Sequence, residues 1–220
     1  MLAVDLSLNS LCYAWRKTDE LDVSNIDYAQ ADILELGTLA RRFDVIECSG
    51  VLNCLGDPLA GWHVLVDLLR PGGIMKIGLY SEIARQDILR GRSLIAEKGY
   101  STSSEDIRRC RQDFIAMAED GNPTMAKICN GRDFFSLSEC RDLLFHVQEH
   151  RFTLPQIEEG LKDLNLKFLG FEMRDQRALK QFKESHPNSN ALTSLSLWHK
   201  FELDNPDTFI GMYQFWCQKS

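Results

Sequence analysis

The sequence lacks any long apolar segment. No run approaches the about 20 consecutive apolar residues that span a bilayer, and no basic stretch leads into an apolar one at the N-terminus, as a secretory signal would require. Basic residues are also in deficit, since 25 Lys and Arg against 32 Asp and Glu give a net charge of −7. This balance argues against nucleic acid or an anionic membrane as the main partner. We therefore expect a cytoplasmic protein.

Paired cysteines are absent as well. The 7 cysteines form no CxxC pair, so we expect reduced, mostly buried thiols rather than a disulfide framework. What is present suits an ordinary globular chain: 44% hydrophobic and 26% charged residues. A chain of 220 residues can bury a substantial core, and one domain is the expected count.

The most informative stretch is residues 41–80, RRFDVIECSGVLNCLGDPLAGWHVLVDLLRPGGIMKIGLY. Residues 43–47 form a short apolar run typical of a buried strand. A helical pattern follows the break at Asp57-Pro58, and residues 70–73 (RPGG) predict its end, because glycine supplies a C-cap and proline does not continue a helix. Residues 74–80 predict the next strand. The stretch is therefore a βαβ unit of a parallel sheet.

The segments FDVIECSGVLNCLGDP and LLRPGGIMKIGLY resemble the fourth strand, adjoining loop and fifth strand of class I S-adenosylmethionine (SAM) dependent methyltransferases, of the type 11/12 kind. The resemblance implies an α/β fold with a Rossmann-like, mostly parallel sheet and an antiparallel last strand. It also implies SAM as cofactor and methyl transfer to an acceptor that the sequence does not identify, either a small molecule or a protein.

Two acidic residues end the opening strands, Asp5 in AVDLS and Asp32 in QADIL. The carboxyl ends of parallel strands are where open α/β sheets bind ligands. By resemblance, Asp5 would bind the ribose hydroxyls of SAM, Asp32 would accept a hydrogen bond from the adenine amino group, and Ile33 would pack on the ring. The alternative is that both acids only cap the segments that follow them. The full set of predicted cofactor contacts is Asp5, Leu6, Ala31, Asp32, Ile33, Cys48 and Ser49.

The sequence departs from the family in two places. No glycine-rich loop precedes Asp5, so the N-terminal βα unit is missing and the central lane of the sheet has no strand. We consider three explanations: a missing N-terminal segment of a longer chain, which we favour; direct pairing of the two flanking strands; or a strand donated by a second copy in a homodimer. In addition, Asn53-Cys54 replaces the histidine pair that many members have after Val-Leu.

Residues 81–150 predict an almost wholly helical insertion between an α/β core of residues 1–80 and 151–220, all within one domain. The periodicity predicts helices at 81–91 and 174–185, a strand at 166–173 and a last strand at 209–217. By resemblance, the insertion would cover the active site as a substrate lid. Candidate acid–base residues are Tyr80, His146 and His150, and candidate substrate contacts are Arg85, Cys140, Arg141 and Glu149.

Residues 146–150 match H-x-x-E-H, an inverted zinc-protease signature that needs both imidazoles on one helical face. A third ligand would come from Glu158, Glu159, Asp163 or Glu172, all in elements assigned to the methyltransferase core. We prefer the methyltransferase interpretation, which needs no metal. A further alternative is a non-catalytic remnant that binds a partner and no longer binds SAM.

Overall fold

The computed structural model describes residues 1–146, 148–173 and 175–220. Its strands are β1 (Leu2–Asp5), β2 (Asp27–Gln30), β3 (Phe43–Ser49), β4 (Leu69–Ser81), β5 (Arg151–Phe152), β6 (Leu166–Phe171) and β7 (Tyr213–Lys219). Its helices are α1 (Leu8–Glu20), α2 (Pro58–Leu68), α3 (Gln86–Lys98), α4 (Ser104–Glu119), α5 (Pro123–Cys129), α6 (Leu137–Phe145), α7 (Leu154–Asp163), α8 (Gln176–Ser185) and α9 (Leu195–Asp204). Within these ranges, no helix has the length and apolar character that crossing a bilayer demands.

The strands form two sheets. The larger one has the order β3-β4-β7-β6, with β5 pairing beside the end of β4. Strands β3, β4 and β5 are parallel, whereas β7 runs antiparallel to β4 and β6. This arrangement confirms the predicted Rossmann-like fold with an antiparallel last strand between its neighbours. Strands β1 and β2 pair in parallel as a separate sheet, so direct pairing of β1 with β3 is not what the chain adopts.

One face of the larger sheet carries the core. In β4, Met75, Ile77 and Leu79 are completely buried and lie opposite Cys217, Phe215 and Tyr213 of β7. Helices α2, α7 and α9 cover this face, contributing the buried side chains of Trp62, Ile157 and Trp198. Burying each large apolar side chain stabilises the fold by about 1.5–3 kcal/mol.

The helical insertion has a hydrophobic cluster of its own. The buried side chains of Ile107 and Phe114 from α4, Phe134, and Leu144 from α6 pack together there. Helix α4 begins at the N-cap Ser103, whose hydroxyl accepts from the Asp106 N–H, as its capping pattern predicts. We call α3 to α6 the helical unit.

Several predicted boundaries were wrong. RPGG does not cap α2: that helix ends at Leu68, and residues 70–73 lie inside β4, where Gly72 has φ +75°. They bulge out because Leu69 pairs with Phe43 and the next register pair is Ile74 with Val45. Helix α3 begins at Gln86 rather than at 81, and β7 at Tyr213 rather than 209. Arg174, predicted to begin α8, lies outside the described residues.

Candidate active site

The two predicted nucleoside acids end adjacent parallel strands at the same edge. Asp5 is the last residue of β1 and lies in register with Gln30, the last residue of β2. The Ala31 N–H donates to the Asp5 carbonyl at 3.3 Å, so Ala31 and Asp32 continue beyond that edge beside Asp5. The edge therefore brings together the carboxylates that the sequence pattern paired.

Each acid also holds its own loop, as the capping alternative predicted. Asp5 Oδ1 accepts the Ser7 N–H at 2.7 Å, and Asp32 Oδ1 accepts the Leu34 N–H at 2.9 Å at the start of a 3₁₀ turn. Within the described residues, Oδ2 of each carboxylate accepts no hydrogen bond. The two interpretations are compatible, because one oxygen orients the loop and leaves the other for a ligand.

Apolar side chains flank these carboxylates. Leu6, directly after Asp5, is 62% exposed, and Leu34, two residues after Asp32, is 47% exposed, with Ile33 half-buried between them. Large aliphatic side chains beside carboxylates fit a flat, partly apolar ligand with hydroxyl or amino donors at its rim. A nucleoside has these properties, so this edge fits the adenosine part of SAM.

At the carboxyl end of β3, mainly backbone atoms are available for contacts with a ligand. Cys48 faces the core, and burial raises the pKa of its thiol to about 11. Ser49 is exposed and lies opposite Gly78 of β4. A Cβ at Gly78 would lie 2.7 Å from Met212 Sδ and 2.9 Å from Ser49 Cα, so only glycine allows this close approach. The arrangement suits the contacts predicted for the methionine part of SAM.

Asn53 organises the next part of the edge. It is completely buried in the loop after β3; its Oδ1 accepts the Tyr80 N–H at 3.3 Å, and its carbonyl accepts the His150 N–H at 2.8 Å. The Asn53 Nδ2 and His150 Nε2 atoms are buried without a hydrogen-bond partner within the described residues. The sequence drew attention to Asn53, because many members of the family that it resembles have histidine at this position. It did not predict that Asn53 joins three segments of the chain.

Tyr80 and Arg85 form a stacked pair. The Arg85 guanidinium carbon lies 3.8 Å from the centroid of the half-buried Tyr80 ring. Burial raises the pKa of Tyr80, although the nearby Arg85 acts in the opposite direction. Tyr80 lies two residues beyond Gly78 on the same face of β4, about 7 Å along the strand. It is therefore close to the edge at which a methyl acceptor would meet the cofactor.

Arg85 and Glu149, predicted as substrate contacts, face each other instead. Their charged groups lie 2.6 Å apart, and both side chains are buried. Arg92 Nη2 also donates to Glu149 at 2.8 Å. Burial works against the Glu149 carboxylate, but the bonds from Arg85 and Arg92 outweigh it and lower the pKa of Glu149. The sequence pattern missed this cluster, because the partners are far apart along the chain.

The two histidines do not share a helical face. Helix α6 ends at Phe145, and His146, its C-cap, has extended backbone; residues 148–150 are not helical, and Val147 of the motif lies outside the described residues. The zinc alternative required one helix for both imidazoles, so its geometric condition is not met. His146 Nε2 lies 4.0 Å from Asp142 Oδ1, and the His150 backbone N–H donates to the Asn53 carbonyl.

Two further predicted substrate contacts lie away from this edge. Cys140 is completely buried in the core of the helical unit, so its thiol is closed to a ligand. Arg141 is exposed on α6, and its guanidinium is 3.5 Å from the Ser104 hydroxyl of α4. We leave both out of the candidate site for these reasons.

A buried carboxylate supports the ends of the two central strands. Glu202 of α9 accepts hydrogen bonds from Ser81 Oγ at 2.6 Å and from Tyr213 Oη at 2.7 and 2.8 Å. Ser81 ends β4 directly after Tyr80, and Tyr213 begins β7. The network holds the ends of β4 and β7 in place beneath the candidate site. No pattern in the local sequence predicts it.

Comparisons with known proteins agree with this geometry. Residues 1–77 match the sequence profile of a family described as a methyltransferase domain. An uncharacterized protein of Synechococcus sp. is 27% identical over 230 residues, which cover 99% of this chain and 54% of that protein. PKMT2 from Rickettsia typhi has a TM-score of 0.71 at 15% identity, and its complex with AdoHcy has 0.69 at 16%; each match covers 98% of this chain and 43% of that chain.

This chain therefore spans about half the length of the relatives it matches. The matched segment contains both acids and all of β3, and the structural likeness extends over the helical unit and the last strand. These findings support the resemblance to SAM-dependent methyltransferases: the chain shares the α/β fold of the PKMT2 structures, and its residues 1–77 match the profile of a family described as a methyltransferase domain.

Proposed function

We propose that this chain binds SAM and transfers its methyl group to an acceptor, as the methyltransferase domain of a SAM-dependent enzyme. The observation that carries the proposal is the convergence of Asp5 and Asp32 at one sheet edge, each with an oxygen left for a ligand. Asp5 would accept hydrogen bonds from the ribose diol, because a carboxylate suits two adjacent hydroxyls. Asp32 would accept from the adenine amino group, with Leu6 and Ile33 against the ring.

When bound, SAM supplies a methyl group carried on a positively charged sulfur. The protein's own task is to hold an acceptor in line and to exclude water. Ser49, Gly78 and Met212 would shape the space beside that group by their close packing. If the acceptor carries a proton, His150, His146 or Tyr80 would accept it, and His150 is best placed because its buried Nε2 has no partner within the described residues.

The helical unit would form the other wall of the site. Its own hydrophobic cluster supports the interpretation of residues 81–150 as a lid on the core. We further propose that the acceptor is a small molecule or a protein. We also propose that a segment outside this chain, or a strand of a second copy, lies beside β1 and β3. The fold alone favours none of these acceptors over the others.

Calorimetric titration with S-adenosylhomocysteine tests the proposal. Asp5→Asn keeps an oxygen for the Ser7 N–H but removes the charge, and charge-assisted hydrogen bonds contribute about 1.5–3 kcal/mol, so we expect binding weakened by about 10- to 100-fold. Asp27→Asn is the matched control, because Asp27 is exposed at the opposite end of the neighbouring strand β2.

The control should bind like the unsubstituted chain. Absence of binding heat in the unsubstituted chain would contradict the proposal and support the non-catalytic remnant. Equal weakening in both variants would show that Asp5 acts only through the net charge of the surface.

A further inference from the structure

Both junctions between the helical unit and the α/β core meet at one buried carboxylate. Glu149 lies in the second junction, just before β5, and its side chain is only 4% exposed. Its oxygens accept from Arg85 Nη2 at 2.6 Å and Nε at 3.3 Å, in the first junction, and from Arg92 Nη2 at 2.8 Å in α3. A carboxylate buried this deeply is retained only with such partners, because an unpaired buried charge is costly.

The contacts continue in both directions from Glu149. Toward the helical unit, Arg92 Nε and Nη2 donate to the Leu143 carbonyl near the end of α6, at 3.1 and 2.7 Å. Toward the core, Arg85 is fixed by two hydrogen bonds to Glu149, and its guanidinium carbon lies 3.8 Å over the centroid of the Tyr80 ring. An arginine fork held at two points has little freedom to leave the ring.

We propose that Glu149 is a positioning residue: it holds Arg85 against Tyr80 and so fixes the position of the Tyr80 ring at the acceptor end of the site. Through the same contacts, the position of this ring depends on how the helical unit packs on the core. The functional part of this inference rests on the proposed methyltransferase activity. Without Glu149, the Arg85 and Arg92 guanidinium groups would face each other with no anion between them, and Arg85 would lose its anchor beside the ring.

The ionisation of Tyr80 reports on these contacts. Burial of the ring raises the pKa of Tyr80, Arg85 lowers it, and Glu149, Asp142 and Cys54 raise it. Glu149→Gln removes the anion and also frees Arg85 from the ring; because Arg85 acts on the pKa of Tyr80 more strongly than Glu149 does, that pKa should rise. Arg85→Gln removes the cation directly, so the pKa should rise there too. A general loosening would expose the ring and lower the pKa in both variants, and an Arg85 that keeps its place without Glu149 would give a fall in Glu149→Gln alone, so the signs separate positioning from both.

The measurement is a pH titration of the full chain by NMR, with tyrosine labelled at Cζ and the Tyr80 signal assigned by its loss in Tyr80→Phe. Glu82→Gln is the matched control, because Glu82 lies in the same junction but bonds Arg151 at 3.0 Å. We expect an upward shift in both the Glu149 and the Arg85 variants and no shift in the control.

A downward shift, or no shift, of the pKa of Tyr80 in folded Glu149→Gln would overturn the proposal. Should thermal unfolding show that Glu149→Gln does not fold, the sign in Arg85→Gln decides, and a fall in the pKa of Tyr80 overturns it. Titration of the unsubstituted chain with S-adenosylhomocysteine keeps the two proposals separate. No binding heat together with upward Tyr80 shifts in both variants refutes the activity and leaves the positioning intact. Binding heat together with a downward shift or no shift in Glu149→Gln does the reverse.

Discussion

Glu202 offers the sharpest test of the packing beneath the site. Its completely buried carboxylate accepts hydrogen bonds from the hydroxyls of Ser81 and Tyr213, and the Ser81 Oγ also accepts the Ala84 N–H at 3.0 Å. Glu202→Ala would leave both hydroxyls without their acceptor. A stranded buried polar group costs about 1–3 kcal/mol, so we expect the free energy of unfolding to fall by about 2–5 kcal/mol.

The same residue predicts an unusual pH dependence. Burial raises the pKa of Glu202 above its ordinary value of 4.5, although the hydrogen bonds from Ser81 and Tyr213 act in the opposite direction. Between the ordinary and the raised pKa, the folded chain holds a proton that the unfolded chain has released. The contribution of Glu202 to the free energy of unfolding therefore falls as pH rises through this range, opposite to the usual acidic residue.

Urea unfolding of the unsubstituted chain, Glu202→Ala and Glu202→Gln from about pH 4 to about pH 8 measures both effects. Glu202→Gln keeps the shape and an acceptor oxygen but does not titrate. The stability of the unsubstituted chain relative to Glu202→Gln should therefore decline with pH and then level off. A relative stability that is flat or rises with pH, or a loss below about 1 kcal/mol in Glu202→Ala, would refute the reasoning.

Two further predictions concern packing and thiol access. Gly73→Ala should lower the free energy of unfolding by about 1–3 kcal/mol in chemical denaturation, because its Cβ would lie 2.9 Å from the Arg70 carbonyl oxygen and 3.1 Å from the Asp44 carbonyl oxygen. Gly37→Ala is the control: the space around Gly37 is open, so the loss should be less than about 0.5 kcal/mol. A larger loss at Gly37 than at Gly73 would contradict this. In the native chain, a thiol reagent should react rapidly with the exposed Cys12 and more slowly with Cys54, because partial burial and the nearby Asp142 and Glu149 raise the pKa of the Cys54 thiol. Fast labelling of the buried thiols would be the contrary result. Burial raises the pKa of all four buried thiols, to about 11 for Cys48 and about 12 for Cys110 and Cys217, and raises that of Cys140 as well.

Local signals predicted most elements of the fold. The opening strands predicted before Asp5 and Asp32 are β1 and β2, and the apolar run at residues 43–47 lies in β3. The RPGG turn was misplaced, because the glycine preference for a positive φ does not distinguish a helix cap from a bulge in a strand. Only pairing with β3 decides that Gly72 takes its positive φ inside β4.

Some residues of the candidate site were likewise predicted by local sequence patterns, and others were not. Asp5, Asp32 and Ser49 were predicted from the sequence because each lies at or just beyond the end of a strand, and parallel strands end at one edge. Asn53, Glu149 and Glu202 acquire their roles from partners on distant segments. The sequence pattern therefore predicted residues at the ends of β1, β2 and β3, and it largely missed the contacts that hold the segments after β3 and β4.

By itself, the sequence determined the strand–helix units, the acids at the edge and the class of fold, because these depend on neighbours within a few residues. Tertiary structure alone decided that residues 70–73 bulge inside β4, that Glu149 lies between two arginines, and that Glu202 meets Ser81. The physical reason is that a buried charge or hydroxyl is stable only where the folded chain brings it a partner, and partners far apart in sequence leave no periodic trace.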